Sequence, residues 1–237
     1  MTTTTEPVDT HEMVVVHRLF RREFRMLPTL VQQVPAGDRD RAAIVAGHAA
    51  DLTFALHHHH TGEDLLLWPK LLARAEPRAE LVHRMQAQHE RLGVLLERID
   101  VLTARWRPTA DPATRNELAH VLAQTSAALD EHLSDEENEL LPLVTEHITQ
   151  PEWDALTAYG KKVLPKSTKA FVYLGLILEE TTADERAAFL PKLPAPVRWA
   201  WQLIGHRIYQ RAITRVRTTP AGPHGHNPTP RPEGTLR

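Results

Sequence analysis

Two short stretches of the chain, HHTGEDLLLWP at 59–69 and HLSDEENELLP at 132–142, share one pattern: a histidine, a glutamate four residues on, and a proline six residues after the glutamate. On a helix, positions i and i+4 stack on one face, so His59 with Glu63, and His132 with Glu136, project side by side. An imidazole and a carboxylate one turn apart can grip a single transition-metal ion. The pairing extends backward, because His17 precedes His59 by 42 residues and His89 precedes His132 by 43. Cysteine is absent while histidine occurs 15 times, so any metal must be held by nitrogen and oxygen.

The spacing acquires meaning once helices are laid on it. From His17 to the end of a first helix is about 17 residues, or roughly 26 Å at the α-helical rise. The return from about Asp40 to His59 is about 19 residues, or roughly 29 Å. An antiparallel hairpin therefore brings His59 back to the level of His17, and the same count holds for His89 and His132. Two such hairpins about a pseudo-two-fold axis would converge six ligands inside a bundle: His17, His59, Glu63, His89, His132 and Glu136. Four imidazoles and two carboxylates suit two iron ions, with manganese or zinc chemically admissible. Glu63 and Glu136 are expected to bridge. Six protein ligands cannot saturate two octahedral ions, which leaves positions open for water, oxo, O2, peroxide or NO.

The run His57–His60 offers a second register, because His60 and Asp64 also form an i, i+4 pair. Matching Glu63–Pro69 to Glu136–Pro142 selects His59 with Glu63, and His57, His58 and His60 are expected to be peripheral or to orient ligands. Met85, four residues before His89, reads as packing. The Arg18, Arg21, Arg22 and Arg25 cluster reads as a solvated face. No residue can be assigned as a catalytic acid or base, although Asp64, Glu137 and Glu139 lie close in sequence.

The elements that must position these residues follow from apolar period and punctuation. Asp9 with Glu12 suggests a capping box opening a first helix, which Pro35–Gly37 ends. A second helix runs from about Asp38 to about Leu72, with Pro69 kinking or stopping it. A third starts at Glu76–Pro77 and stops before Pro108, and a fourth starts at Asp111–Pro112 and reaches about His147. The pattern predicts an all-α, up-down-up-down four-helix bundle over 9–148. A C-terminal helical extension follows over 151–217, including Ala170–Thr181 and Val197–Val216. A disordered Pro-, Gly- and Thr-rich tail covers 218–237, where His224 and His226 are poor ligand candidates. The basic amphipathic stretch from Val197 is expected to pack on the bundle or a second subunit, with KAFVYLGLILEE as its apolar partner, rather than lie on a membrane.

A net charge of −2 gives no pull toward nucleic acid. There is no apolar run of membrane-spanning length and no signal-peptide layout, so a cytoplasmic location is expected.

The arrangement of His17, His59-x-x-x-Glu63, His89 and His132-x-x-x-Glu136, with its closing LLLWP and NELLP, resembles the hemerythrin-like, HHE cation-binding family over roughly residues 9–147. Oxygen-carrying members have a His-x-x-x-His pair in the third helix, where this chain has Met85 and His89, and His-x-x-x-x-Asp in the fourth, where it has His-x-x-x-Glu. The pattern is instead similar to a bacterial branch with single His, His-x-x-x-Glu, single His, His-x-x-x-Glu. The resemblance implies a non-haem di-iron centre that binds or reacts with O2, peroxide or NO, in redox or iron stress. The alternative is a metal-dependent sensor whose state shifts the 151–217 helices or a homo-oligomeric contact; a metal-free interaction bundle is the third reading.

Overall fold

Capping residues set where the bundle helices begin. The computed structural model describes residues 7–162 and 167–218. Helix α1 (His11–Gln32) opens without a side-chain cap. The expected Asp9/Glu12 box does not form, because Asp9 accepts from the His11 backbone N–H (3.0 Å) and Glu12 is drawn to Lys192. Helix α2 (Arg39–Leu66) is capped by Asp38, whose carboxylate accepts from the Arg41 backbone N–H at 2.9 Å. Gly37 takes a left-handed φ of +77° in the α1–α2 loop, a conformation glycine adopts without penalty. Its N–H donates to the Ala110 carbonyl (3.1 Å), tying together the two hairpin loops at that end.

The second expected helix is divided, giving α3 (Trp68–Arg74) with Pro69 in its first turn. A single 3-10 turn at Glu76–Arg78 leads into α4 (Ala79–Trp106). Helix α5 (Pro112–Asp135) is capped by Asp111, which accepts from the Thr114 N–H at 2.7 Å. It widens into a π turn at Glu136–Leu140 before α6 (Leu141–His147). Both interruptions lie just upstream of the repeated proline. A proline nitrogen has no hydrogen to donate, and its ring crowds the carbonyl four residues back, so the preceding turn must open. In the second half the Leu141 N–H reaches back to the Glu136 carbonyl instead.

Helix α1 packs on α5, α5 on α4, α4 on α2 and α2 on α1, closing an antiparallel four-helix ring. All elements are helical among the described residues, and no helix there is long and apolar enough to cross a membrane. The core falls into two apolar clusters. One contains Phe24, Leu27, Leu52, Leu56, Ile99 and Trp106. The other contains Trp68, Leu71, Val82, Met85, Leu140 and Val144. The sequence places His17, His89, Glu63 and Glu136 between residues of one cluster and residues of the other.

The C-terminal helices are α7 (Gln150–Lys162), α8 (Lys169–Glu179), α9 (Ala183–Phe189), α10 (Ala195–Ala200) and α11 (His206–Arg217), with a π turn at Trp201–Gly205 before the last. Helix α9 opens on a Thr182/Glu185 capping box that sequence reading missed. Helix α7 sits directly on α2: a Cβ on Gly62 would lie 2.9 Å from the Tyr159 ring. Helix α11 covers α8 so closely that a Cβ on Gly175 would fall 2.1 Å from the Tyr209 ring. Arg41 of α2 donates to the carbonyls of Arg215 and Val216, answering groups that the end of α11 would leave unpaired. The tail beyond Thr218, with His224 and His226, lies outside the described residues.

Candidate metal centre

Each helix of the ring delivers part of one buried polar layer. His17 comes from α1, His59, His60 and Glu63 from α2, His89 from α4, His132 from α5, and Glu136 from the π turn that follows. Their ligand atoms form two groups: His17, His59, Glu63 and Glu136 in one, and His60, His89 and His132 in the other. Within each group all the atoms lie within 4.8 Å of one another. His17, Glu63, His132 and Glu136 are wholly buried.

Distances inside the layer suit ligands around an ion as well as they suit long hydrogen bonds. The His17 and His59 Nε2 atoms are 3.3 Å apart, and those of His89 and His132 3.2 Å. Two nitrogens at right angles around an ion, each about 2.1 Å from it, would be about 3 Å apart. Glu63 presents one oxygen 3.2 Å from His59 Nε2 and the other 3.6 Å from His89 Nε2. Glu136 Oε2 lies 3.4 Å from His17 Nε2 and 3.8 Å from His132 Nε2. Despite this proximity, all four glutamate oxygens and the His60 Nε2 lack a hydrogen-bond partner. Buried polar atoms are rarely left unsatisfied, and each one costs roughly 1–3 kcal/mol. Orphaned acceptors converging at ligand spacing fit bound cations.

The electrostatics agree. Burial, and then the neighbouring Glu136, push the Glu63 carboxyl well above its ordinary range, and burial likewise raises Glu136. Burial followed by repulsion among the clustered imidazoles drives His59 and His60 well below theirs, and His132 to about 2. Neutral imidazoles are the form that binds metal, and a cation supplies the charge that two buried carboxylates lack.

A second ring of side chains fixes the imidazoles. His17 Nδ1 donates to Glu137 (2.9 Å), which also accepts from Arg21 at 2.7 Å. Burial opposes ionisation of Glu137, but these two bonds hold its carboxyl below the usual range. His89 Nδ1 donates to Asp64 (2.8 Å), which also takes the Trp68 indole N–H at 2.8 Å. His132 Nδ1 donates to Gln88 Oε1 at 3.1 Å. A proton held at Nδ1 leaves the Nε2 lone pair pointing inward. The exchange is reciprocal. Each half of the repeat sends its first acid into the centre and its second, Asp64 or Glu137, to the lone histidine of the other half.

All six residues singled out from sequence come together in this layer. His60 was expected at the periphery or orienting ligands; it is buried, stacked on His89 with ring centroids 4.2 Å apart, and grouped with His89 and His132. The signal that could have found it was already present: Met85 occupies the position where a further histidine would face the site, and the neighbouring His57–His60 run is where another imidazole was on offer. His57 is exposed. His58 leaves the layer for α7, stacking on Tyr159 at 4.2 Å and donating to its carbonyl at 3.2 Å.

A four-helix ring whose interior is cut by buried histidine and glutamate clusters defines a helical cation-binding protein. The hemerythrin HHE cation-binding domain matches residues 8–144, more than half of the chain. The chain belongs to that family. Neither a curated protein nor a solved structure matches it.

Proposed function

We propose that the chain is a non-haem di-iron protein that binds or reacts with a small ligand, O2, peroxide or NO, in redox or iron stress. In this reading His17, His59, Glu63 and Glu136 would hold one ion and His60, His89 and His132 the other, with oxygens of Glu63 and Glu136 also 3.6 Å and 3.8 Å from the Nε2 atoms of His89 and His132. The observation that carries it is the set of unpartnered glutamate oxygens poised between two imidazole groups. Nitrogen-rich, carboxylate-bridged sets suit iron, with manganese or zinc as substitutes.

Once bound, the ions would supply Lewis acidity and electrons for the small ligand. The chain contributes the rest. Glu137, Asp64 and Gln88 hold protons at Nδ1 of His17, His89 and His132, so that the inner nitrogens stay unprotonated. The apolar clusters on either side exclude bulk water.

Protein purified without a histidine tag and loaded with Fe(II) anaerobically should bind two irons per chain and develop a near-ultraviolet oxo-bridge band in air. One iron per chain, or none, overturns the dinuclear reading. Peroxide decay no faster than with free iron removes turnover but leaves binding.

A second reading, a metal-dependent sensor, is favoured by one contact: His58, adjacent to His59, stacks on Tyr159 of α7. A change at the centre would then reach α7, with residues 151–217 acting as a responsive extension to the 9–148 bundle. Exposed Trp199, Leu203 and Ile204 would offer a face to a second copy. Protease cleavage of α7–α11 that differs between oxidised and reduced protein supports this reading, and identical cleavage removes it.

A further inference from the structure

His59 faces two ways. Alone among the seven residues of the centre, it also lines a cavity of about 700 Å³ between the bundle and the C-terminal helices. The walls include Phe20 of α1, Ala55 of α2, Leu156 of α7, and Phe171, Leu174 and Ile177 of α8. Phe20 packs against the His59 ring at 5.4 Å between centroids. A volume of this order falls within the range of sites that enclose a whole small organic molecule, roughly 300–1,000 Å³, and far exceeds what a diatomic ligand needs.

The charge pattern narrows the occupant. Glu185, on the cavity wall, is answered by His11 (2.5 Å) and Arg18 (3.0 Å), and Lys192 is paired with Glu12. Lys161, at the exposed end of α7, is the lining cation with no ion pair among the described residues. Away from Lys161 the walls are Phe, Leu and Ile, where a charged group would lose its water with nothing to compensate it, and burying an unpaired charge is strongly unfavourable.

We propose that this cavity binds a neutral, mostly apolar organic molecule whose single polar end is seated at His59, so that the centre handles an organic ligand and not only a diatomic one. Placement of that end beside a metal ion rests on the proposed function. Occupancy of the cavity does not, and the two can fail separately.

The test uses the full chain, metal-free and iron-loaded, titrated calorimetrically with n-decanol and with decanoate. The alcohol is expected to bind both forms, and decanoate to bind the metal-free form at least about tenfold more weakly, a difference of about 1.4 kcal/mol. Filling the space from two different helices, by Ala55→Phe or Ala170→Phe, is expected to weaken decanol binding by about tenfold or more while circular dichroism stays helical. A diazirine-bearing decanol analogue should crosslink to peptides of α1, α2, α7 and α8, a readout that needs no variant. The proposal is overturned if decanol does not bind, if decanoate binds and decanol does not, or if crosslinks gather on the exposed Trp199 and Leu203 surface. Absence of decanol binding to the parental protein when it holds two irons sinks the cavity alone. Decanol binding by parental protein that takes up no iron on loading sinks the di-iron reading alone.

Discussion

His60 is the residue at which spacing arguments reached their limit. The repeat compares two halves of one chain and so finds only what the halves share. His59, Glu63, His132 and Glu136 are shared, and so are the lone His17 and His89. His60 corresponds to Leu133, a core residue, and is therefore invisible to the comparison. Met85 supplies the complementary fact: it is fully buried in an apolar cluster one turn from His89 and offers no nitrogen. The group formed by His60, His89 and His132 thus depends on an imidazole lent by α2. If His60 is a ligand, His60→Ala should roughly halve the iron bound per chain and leave the protein helical, while exposed His57→Ala changes neither. Metal analysis after gel filtration reads the result directly. A His60→Ala protein that keeps its full complement of iron would mean that the ring is only packed there.

At the scale of elements, hairpin arithmetic was legible because it needs only helix rise and loop positions. Asp38, Asp111 and Pro112 mark helix starts by local chemistry, and each does what its type predicts. The Asp9/Glu12 box failed because Glu12 found Lys192 some 180 residues away, a partner no local window contains. The division at Leu67 and the π turn at Glu136–Leu140 were half legible: the prolines were visible, but not whether the helix would break or widen. What these interrupted turns carry is the second acid of each half, Asp64 or Glu137, crossing to a histidine of the opposite hairpin. Removing such an outer partner of a metal-bound histidine typically weakens metal binding about 10–100-fold. Asp64→Asn and Glu137→Gln should each do so, measured by chelator competition, with the thermal midpoint of the metal-free protein little changed for the half-exposed Asp64. If both variants retain parental affinity, the reciprocal bonds have no part in holding metal.

The whole molecule contains two kinds of buried carboxylate, and they respond to acid in opposite senses. Glu63 and Glu136 have raised pKa values, so in metal-free protein they favour the fold at low pH and oppose it as pH rises. Glu23 is the reverse. It is buried where α1, α2 and α11 meet, accepting from His48 (2.8 Å), Arg22 (2.7 Å) and Arg217 (2.8 Å). Burial alone would raise its pKa, but the bonds and charges of His48 and Arg22 outweigh that and hold it at about 2, against an ordinary 4.5. A carboxyl depressed in the folded state stabilises the fold above its unfolded pKa, and that contribution is lost as pH falls through the folded value. The drop corresponds to about 3 kcal/mol at neutral pH, of a total that is typically about 5–15 kcal/mol. Urea unfolding of metal-free protein should therefore find Glu23→Gln less stable than the parent by about 3 kcal/mol at pH 7, with the gap closing between about pH 5 and pH 2 as the parental carboxyl is protonated. Other carboxylates also lose stability in acid, which is why the difference between the two proteins, rather than either curve, carries the test. Because Arg217 joins Glu23 from the last helix, the same variant should loosen α11 first, seen as faster amide exchange there than in α4 or α5. A gap that stays constant with pH would show that the side chain matters for its shape and not for its charge.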